Sequence, residues 1–207
     1  MKQSWFSSLD QNQLDAFKEI TNIGAGNAAT ALAEILSDRV NMSVPCLEIL
    51  DINEMASILG GPENEVAGVL LRMYGDIDGM IMFILDKQFC HTLLSVLLNK
   101  EIKSFDEIDD MDLSLFQEMG NIIVGGYANA LATMLDMEVK ITTPEIAIDM
   151  AGAILSYPAQ YFGTMGDKVM FVKEDFQSDT ATITSHLLIM PQPESFDNIM
   201  KKLGMML

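Results

Sequence analysis

The feature that most constrains the fold of this 207-residue chain is an internal repeat. When the sequence is shifted by 99 residues, positions 15–45 align with positions 114–144 without a gap, and 12 of the 31 pairs are identical. A repeat of this kind indicates two copies of one supersecondary unit, so we expect pseudo-twofold symmetry. The identical positions, by their first-copy numbers, are Phe17, Glu19, Asn22, Ile23, Gly26, Ala29, Ala31, Leu32, Ala33, Leu36, Val40 and Pro45.

Each copy is predicted to begin with a long helix that is followed by strands. Apolar or small residues recur at three- and four-residue spacing over residues 11–36 and about 110–135. The link from Ala151 to Asp167 matches neither period clearly and is left unassigned. The predicted strands are Val40–Val44, Val139–Thr143, a hairpin of Ala67–Met73 and Gly79–Leu85 around the turn GDIDG, and Lys168–Val172 with Thr180–Met190; the closing helices are Phe89–Leu98 and Ser195–Leu203.

These elements predict an α/β (α+β) fold in which long helices pack on a mostly antiparallel, continuous sheet. At 49% hydrophobic residues the chain can bury a substantial core. We expect residues 1–207 to form one domain of two repeats, about 10–100 and 109–204.

Composition excludes several classes of function. The formal net charge is −18 and the pI is near 4.2, so phosphate backbones and anionic membrane surfaces would repel the chain. The opening MKQSWFSSLDQNQ lacks the apolar segment of a signal peptide, and no apolar run is long enough to span a membrane. Cys46 and Cys90 lie in apolar surroundings and are expected to be reduced core residues. A histidine-based zinc site or catalytic triad is not expected, because His91 and His186 are the only histidines and lie far apart in the sequence.

The stretch EITNIGAGNAA admits a dinucleotide-binding interpretation, because Gly24, Gly26 and Ala29 match a G-x-G-x-x-A fingerprint. Two observations oppose it. The first glycine becomes Ile123 in the second copy, and the fingerprint follows a helical pattern where a Rossmann fold requires a strand. We therefore interpret the small residues as close helix packing; they are Gly24, Ala25, Gly26, Ala28 and Ala29.

Both copies also keep a polar set: Asp15/Ser114, Glu19/Glu118, Asn22/Asn121 and Pro45/Pro144. Positions 15, 19 and 22 fall within roughly 60° of one another on a helix and form a polar stripe. The helix continues for about 14 residues beyond Asn22, and a strand of about six residues then runs back over a similar distance. Pro45 is therefore expected to lie near the stripe. Such a stripe can be an ordinary solvated face, or packing preserved by symmetry. Its occurrence twice at one register favours function.

The double motif [D/S]-x3-E-x2-N-x22-P resembles the signature of the CheC/FliY/CheX family of bacterial response-regulator phosphatases. It is met by Asp15-Glu19-Asn22-Pro45 and by Ser114-Glu118-Asn121-Pro144. The resemblance covers nearly the whole chain, and two intact motifs favour the CheC branch. It implies a cytoplasmic chemotaxis enzyme that hydrolyses the aspartyl phosphate of CheY.

The resemblance also implies roles for these residues. Asn22 and Asn121 would position the attacking water, while Glu19 and Glu118 would pair with the regulator's active-site lysine. Asp15, Ser114, Pro45 and Pro144 would support them. No cofactor is expected in this chain, and Mg²⁺ is expected on the response regulator.

A second partner is implied by analogy, the receptor deamidase CheD. The segment Glu145–Gly152 differs from its first-half counterpart Cys46–Asn53, as a one-sided partner surface would. A plain strand–helix junction is the alternative. The candidate contacts are Ile148, Asp149, Met150 and Gly152. We expect a monomer that binds no nucleic acid and no membrane. The competing function is a non-enzymatic adaptor that sequesters phosphorylated CheY or CheD.

Overall fold

The computed structural model describes residues 9, 11–36, 39–162, 168–177 and 182–204. Six α-helices and eight strands are found in these residues. Their bounds are α1 Gln11–Leu36, β1 Asn41–Met42, β2 Cys46–Asp51, α2 Ile52–Ile58, β3 Glu65–Gly75, β4 Gly79–Leu85, α3 Lys87–Leu98, α4 Asp110–Leu135, β5 Val139–Ile141, β6 Glu145–Met150, α5 Ala151–Phe162, β7 Lys168–Gln177, β8 Thr182–Pro191 and α6 Pro193–Lys202.

The repeat is visible in the positions of the elements. Helix α4 begins and ends 99 residues after α1, and β6 is displaced by the same interval from β2. The long helices are confirmed, whereas β1 and β5 are shorter than predicted; beyond them, the backbone nitrogens of Ser43 and Thr142 each donate one more bond, to Asp175 of β7 and Arg72 of β3. The unassigned link forms α5 as far as Phe162; Pro158 within this helix weakens its sequence signal.

The strands form one eight-stranded sheet, and every pair found in the described residues is antiparallel. The order is β1-β7-β8-β4-β3-β5, with β2 also paired to β7 and β6 to β3. The two halves meet where β4 pairs with β8. Strands β1 and β2 of the first half pair with β7 of the second, and β5 and β6 of the second half pair with β3 of the first, so each half places its two short strands on the hairpin of the other. The predicted fold class, with its mostly antiparallel continuous sheet, is confirmed.

Helices cover both faces of the sheet. On one face, α1, α3, α4 and α6 bury a large apolar cluster that includes Phe17, Phe89, Phe116 and Phe196. On the opposite face, α2 and α5 bury a smaller cluster around Met55. With both faces covered, β4 is buried along its whole length. Its run GMIMFIL is thus uniformly apolar where a half-exposed strand would alternate.

The close packing of α1 against α4 depends on small residues. A Cβ atom at Gly24 would lie 2.6 Å from Cδ1 of Tyr127, and one at Gly126 would lie 3.0 Å from the backbone nitrogen of Ala28. Asn27 Nδ2 also donates to the carbonyl oxygen of Gly126 at 3.3 Å. The packing role is thus confirmed for Gly24. It is wrong for Gly26, where a Cβ atom would meet nothing within 4 Å.

The expectation for the cysteines holds for one of the two. Cys90 is buried in α3, and burial raises the pKa of its thiol well above the ordinary range. Cys46 is exposed, contrary to the prediction. It is the first residue of β2, a strand that pairs with β7 near the edge of the sheet. Successive side chains of β2 point to opposite faces, so Cys46 points away from the core while the next residue, Leu47, is buried.

A buried carboxyl group lies in the sheet beneath helices α1 and α4. The Glu174 residue of β7 is 1% exposed and accepts hydrogen bonds from Tyr127 Oη at 2.8 Å and from Ser185 Oγ at 3.1 Å. Burial raises its pKa from the ordinary 4.5 to about 7, against the lowering effect of these two donors. The first half has no such group, because the position equivalent to Tyr127 is Ala28 and the strand register makes Leu71 of β3 the equivalent of Glu174.

We predict that Gly24→Ala lowers the free energy of unfolding by about 1–2 kcal/mol, because the added methyl group overpacks the buried ring of Tyr127. Gly26→Ala is the matched control in the same helix; it gains helix propensity and should raise stability by up to about 1 kcal/mol. Urea unfolding measures both. Equal effects of the two substitutions would contradict the packing role of Gly24.

The Glu174 carboxyl group should make stability depend on pH. The folded protein binds this proton more tightly than the unfolded chain. Its contribution is therefore complete below about pH 4.5 and is lost as pH rises through about 7. Glu174→Gln should remove this dependence, so the wild type should lose up to about 3 kcal/mol more than the variant between pH 4.5 and 8. Unfolding free energies measured across this range test the prediction, and parallel profiles would contradict it.

Candidate functional site

The polar stripe of the first copy lies on the open side of α1. Asp15, Glu19 and Asn22 are all exposed, while Phe17 and Ile20 between them are buried against the core. This division follows from the helical period, since the buried positions are those that face α4 and the sheet. The sequence prediction that positions 15, 19 and 22 share one face agrees with these exposures.

The second stripe lies on α4, whose first turn is fixed by charged groups. The Asp109 side chain accepts from the backbone of Met111 and Asp112, and Asp112 accepts from the backbone of Asp109, which forms a capping box. Lys100 Nζ binds Asp109 Oδ2 at 2.9 Å and also contacts Asp112 Oδ2. These contacts raise the pKa of Lys100, through Asp112 first, and lower that of Asp109. A rigid start to α4 fixes the positions of Ser114, Glu118 and Asn121.

The prolines lie close to the helices that carry the stripes. Gln117 Nε2 on α4 donates to the carbonyl oxygen of Pro144 at 3.1 Å, one residue before Glu118. In the first copy, α1 packs against β1 and β2, which flank Pro45. Both prolines are half-buried, and Val44 beside Pro45 is 85% exposed. The predicted return of the chain to the helix is therefore observed directly in the second copy, where Pro144 contacts α4 through Gln117.

The side chains of the proposed site fall into two groups. Among the described residues, those of Glu19, Asn22, Glu118 and Asn121 have no hydrogen-bond or ion-pair partner. Asp15 instead accepts from Gln11 Nε2 at 2.9 Å and Lys18 Nζ at 3.0 Å, and the Lys18 contact comes first in lowering its pKa. The Ser114 hydroxyl donates to the carbonyl of Asp110 at 2.9 Å. The glutamates and asparagines are thus free for a partner, whereas the two supporting residues are bound within their own helices.

Two residues of this face were interpreted wrongly or missed. Gly26 and Gly125 follow Asn22 and Asn121 by four residues, so they continue the stripes by one turn. The sequence pattern predicts a packing role for Gly26 and no role for Gly125. Both copies have glycine at this register of the stripe.

The segment considered for a second partner is the junction of β6 and α5. Its residues do not share one face: Ile148 packs against the large core cluster, while Asp149 and Met150 are exposed. Gly152 lies at the start of α5, where its nitrogen donates to the carbonyl of Pro62 at 2.9 Å. A groove of about 280 Å³ lies beside this junction, between β6 and α5. Its lining includes Ala147, Asp149, Ala153, Ile154 and Tyr157.

Two general features of the described residues bear on possible functions. No group of three or more His, Cys, Asp or Glu side chains in residues 9–204, apart from the undescribed gaps, is arranged to hold a metal ion. Within the same residues, no helix combines the length and apolar character that crossing a bilayer requires.

Comparison with known proteins gives consistent matches. Residues 13–49 match the CheC-like family, and residues 67–161 match the chemotaxis phosphatase CheX family. The CheY-P phosphatase CheC of Bacillus subtilis (strain 168) is 31% identical over 207 residues, which cover 97% of this chain and 98% of that protein.

Two solved structures share the fold at lower identity. Thermotoga maritima FliY is 20% identical with a TM-score of 0.74, and the match covers 95% of this chain and 98% of FliY. A chain of the CheX–CheY–BeF3–Mg²⁺ complex of Borrelia burgdorferi is 18% identical with a TM-score of 0.53, covering 84% of this chain and 98% of that chain. With 31% identity to a CheC over almost the full length of both sequences, the chain belongs to the CheC-like family.

Proposed function

We propose that this chain is a phosphatase that hydrolyses the aspartyl phosphate of the chemotaxis response regulator CheY. The observation that carries the proposal is the pair of exposed, unpartnered Glu-x-x-Asn sets, one on each of two long helices. The relative that is 31% identical is named a CheY-P phosphatase, which supports the same substrate. An exposed site fits a protein substrate, because the reacting group is delivered on the partner's surface.

The chemistry requires little from the chain itself. An acyl phosphate is intrinsically labile, so no nucleophilic side chain is needed. What remains is to hold one water in line with the phosphorus, which is catalysis by positioning. A side-chain amide suits this role because it offers both a donor and an acceptor and stays uncharged. We assign the water-positioning role to Asn22 and Asn121.

The neighbouring glutamates would orient the partner. Glu19 and Glu118 lie three residues before the asparagines, about one turn along the same helical face. A carboxylate there can pair with a lysine beside the aspartyl phosphate and fix the register of docking. Because both groups stand on one rigid helix, docking of the lysine also places the amide. Mg²⁺ is expected to belong to the response regulator.

Each stripe carries a full set of residues, so each site should work without the other. The sites differ in detail. Asn22 is exposed and Asn121 half-buried, and the supporting residue is the carboxylate of Asp15 in one and the hydroxyl of Ser114 in the other. The chain as a whole is expected to be a cytoplasmic monomer.

We further propose that the β6–α5 junction binds CheD. The support is its asymmetry. Helix α5 has 12 residues where its first-half equivalent α2 has seven, and exposed Tyr157 beside the groove stands where the first half has Ile58. Tyr157 Oη accepts from Arg72 Nη2 at 2.7 Å, which fixes the ring at the groove edge. Exposed Asp149 and Met150 extend this surface, whereas Ile148 supports it from the core side.

A non-enzymatic adaptor for phosphorylated CheY or CheD is the alternative. An adaptor needs a docking charge, which Glu19 and Glu118 would supply. It has no need of an unpartnered amide at the same place in both copies. The repetition of Asn22 and Asn121 therefore favours the enzyme.

The double variant Asn22→Ala with Asn121→Ala should lose stimulated dephosphorylation while keeping its affinity for phosphorylated CheY. One amide that aligns water can account for about a hundredfold in kcat, or on the order of 3 kcal/mol. Each single variant should keep partial turnover. Phosphate release in Mg²⁺ buffer and a binding measurement on the same proteins test this.

The matched control is Glu19→Lys with Glu118→Lys, which should weaken binding, because lysine would face lysine. Wild-type turnover in the double asparagine variant would contradict the catalytic assignment. A loss of binding in step with activity would identify the asparagines as docking residues and favour the adaptor.

For the second partner, Asp149→Lys with Tyr157→Ala should abolish CheD binding without changing basal turnover. Glu48→Lys is the control, since it reverses an exposed charge on β2, the equivalent strand of the first half. Titration calorimetry with purified CheD measures both. Equal binding by the double variant and the wild type would exclude this surface.

A further inference from the structure

We propose that Gly26 and Gly125 set how closely the two phosphatase sites approach the response regulator, a proposal that rests on the proposed function. Both glycines are half-buried positions within long helices, and a Cβ atom on either would meet nothing within 4 Å. They lie four residues beyond Asn22 and Asn121, about 6 Å along each helix on the same side. Their empty space therefore lies within the area that a docked protein would cover.

The fold itself gives no reason for glycine at these positions. The other glycines of the two long helices are held by packing: a Cβ atom would lie 2.6 Å from Tyr127 at Gly24, 2.5 Å from Val69 at Gly120, and 3.0 Å from Ala28 at Gly126. Glycine in a helix interior is unfavourable relative to alanine. Gly26 and Gly125 carry this cost in both copies with no neighbour in the described residues that needs it.

The chemistry of the substrate supplies a reason. An aspartyl phosphate stands on a short side chain, so its phosphorus lies close to the regulator's own backbone. Asn22 and Asn121 are equally short, and each must hold a water against that phosphorus. The helix backbone must therefore approach the regulator's backbone closely. A side chain one turn beyond the asparagine would hold the two surfaces apart, whereas glycine lets the main chains meet.

The test isolates one site and adds bulk to it. In an Asn121→Ala background only the first site should act, and Gly26→Ala and Gly26→Leu then introduce side chains of increasing size. We expect KM for phosphorylated CheY to rise with that size, by about tenfold for leucine, as for overpacking of a close contact. The thermal midpoint should not fall, because the position is open and both residues favour helix.

The control is Glu34→Leu in the same background, which places the same side chain on an exposed position about 12 Å further along α1. It should leave turnover unchanged. If the Gly26→Leu protein matches its active parent in KM and kcat, the inference is overturned and the proposed function stands. If wild-type protein fails to dephosphorylate CheY at all, the proposed function fails, and this inference fails with it.

Discussion

The contact between α1 and α4 is the interaction on which the rest of this structure depends. Gly24 accepts the ring of Tyr127, Gly126 meets the backbone of α1, and the two helices are thereby held at close range. Residues committed to this contact and to the sheet leave only one side of each helix open. That side carries Glu19 and Asn22 on one helix and their equivalents on the other. Burial of the apolar and small positions therefore determines where the polar ones can stand.

The exchange of edge strands ties the two halves together. The strands that follow α1 pair with β7 of the second half, and those that follow α4 pair with β3 of the first. Each polar stripe consequently lies on a helix whose following strands pair with the hairpin of the other repeat. The contact of Gln117 with Pro144 shows how the returning chain reaches the helix.

Several positions depart from the symmetry of the two halves. Tyr127 occupies a position that is Ala28 in the first copy, and its hydroxyl group is satisfied by a buried carboxyl at Glu174. The buried carboxylate of Asp112, which is paired with Lys100, stands where the first copy has the buried neutral amide of Gln13. These changes lie in the core and at a helix start, where they affect stability. The longer α5 instead alters the surface, which is where a partner specific to one half would bind.

The sequence by itself determined the repeat, both long helices and the face that carries Glu19, Asn22, Glu118 and Asn121, because helical period and internal identity are properties of the chain alone. The domain boundaries and site roles derived from it remain predictions. Only the tertiary structure decided that Gly24 packs while Gly26 lies open, that Cys46 is exposed, and that each half places its edge strands on the other. Local spacing states which residues share a face. It does not state what that face meets, since this depends on strand pairings between residues that are distant in the sequence.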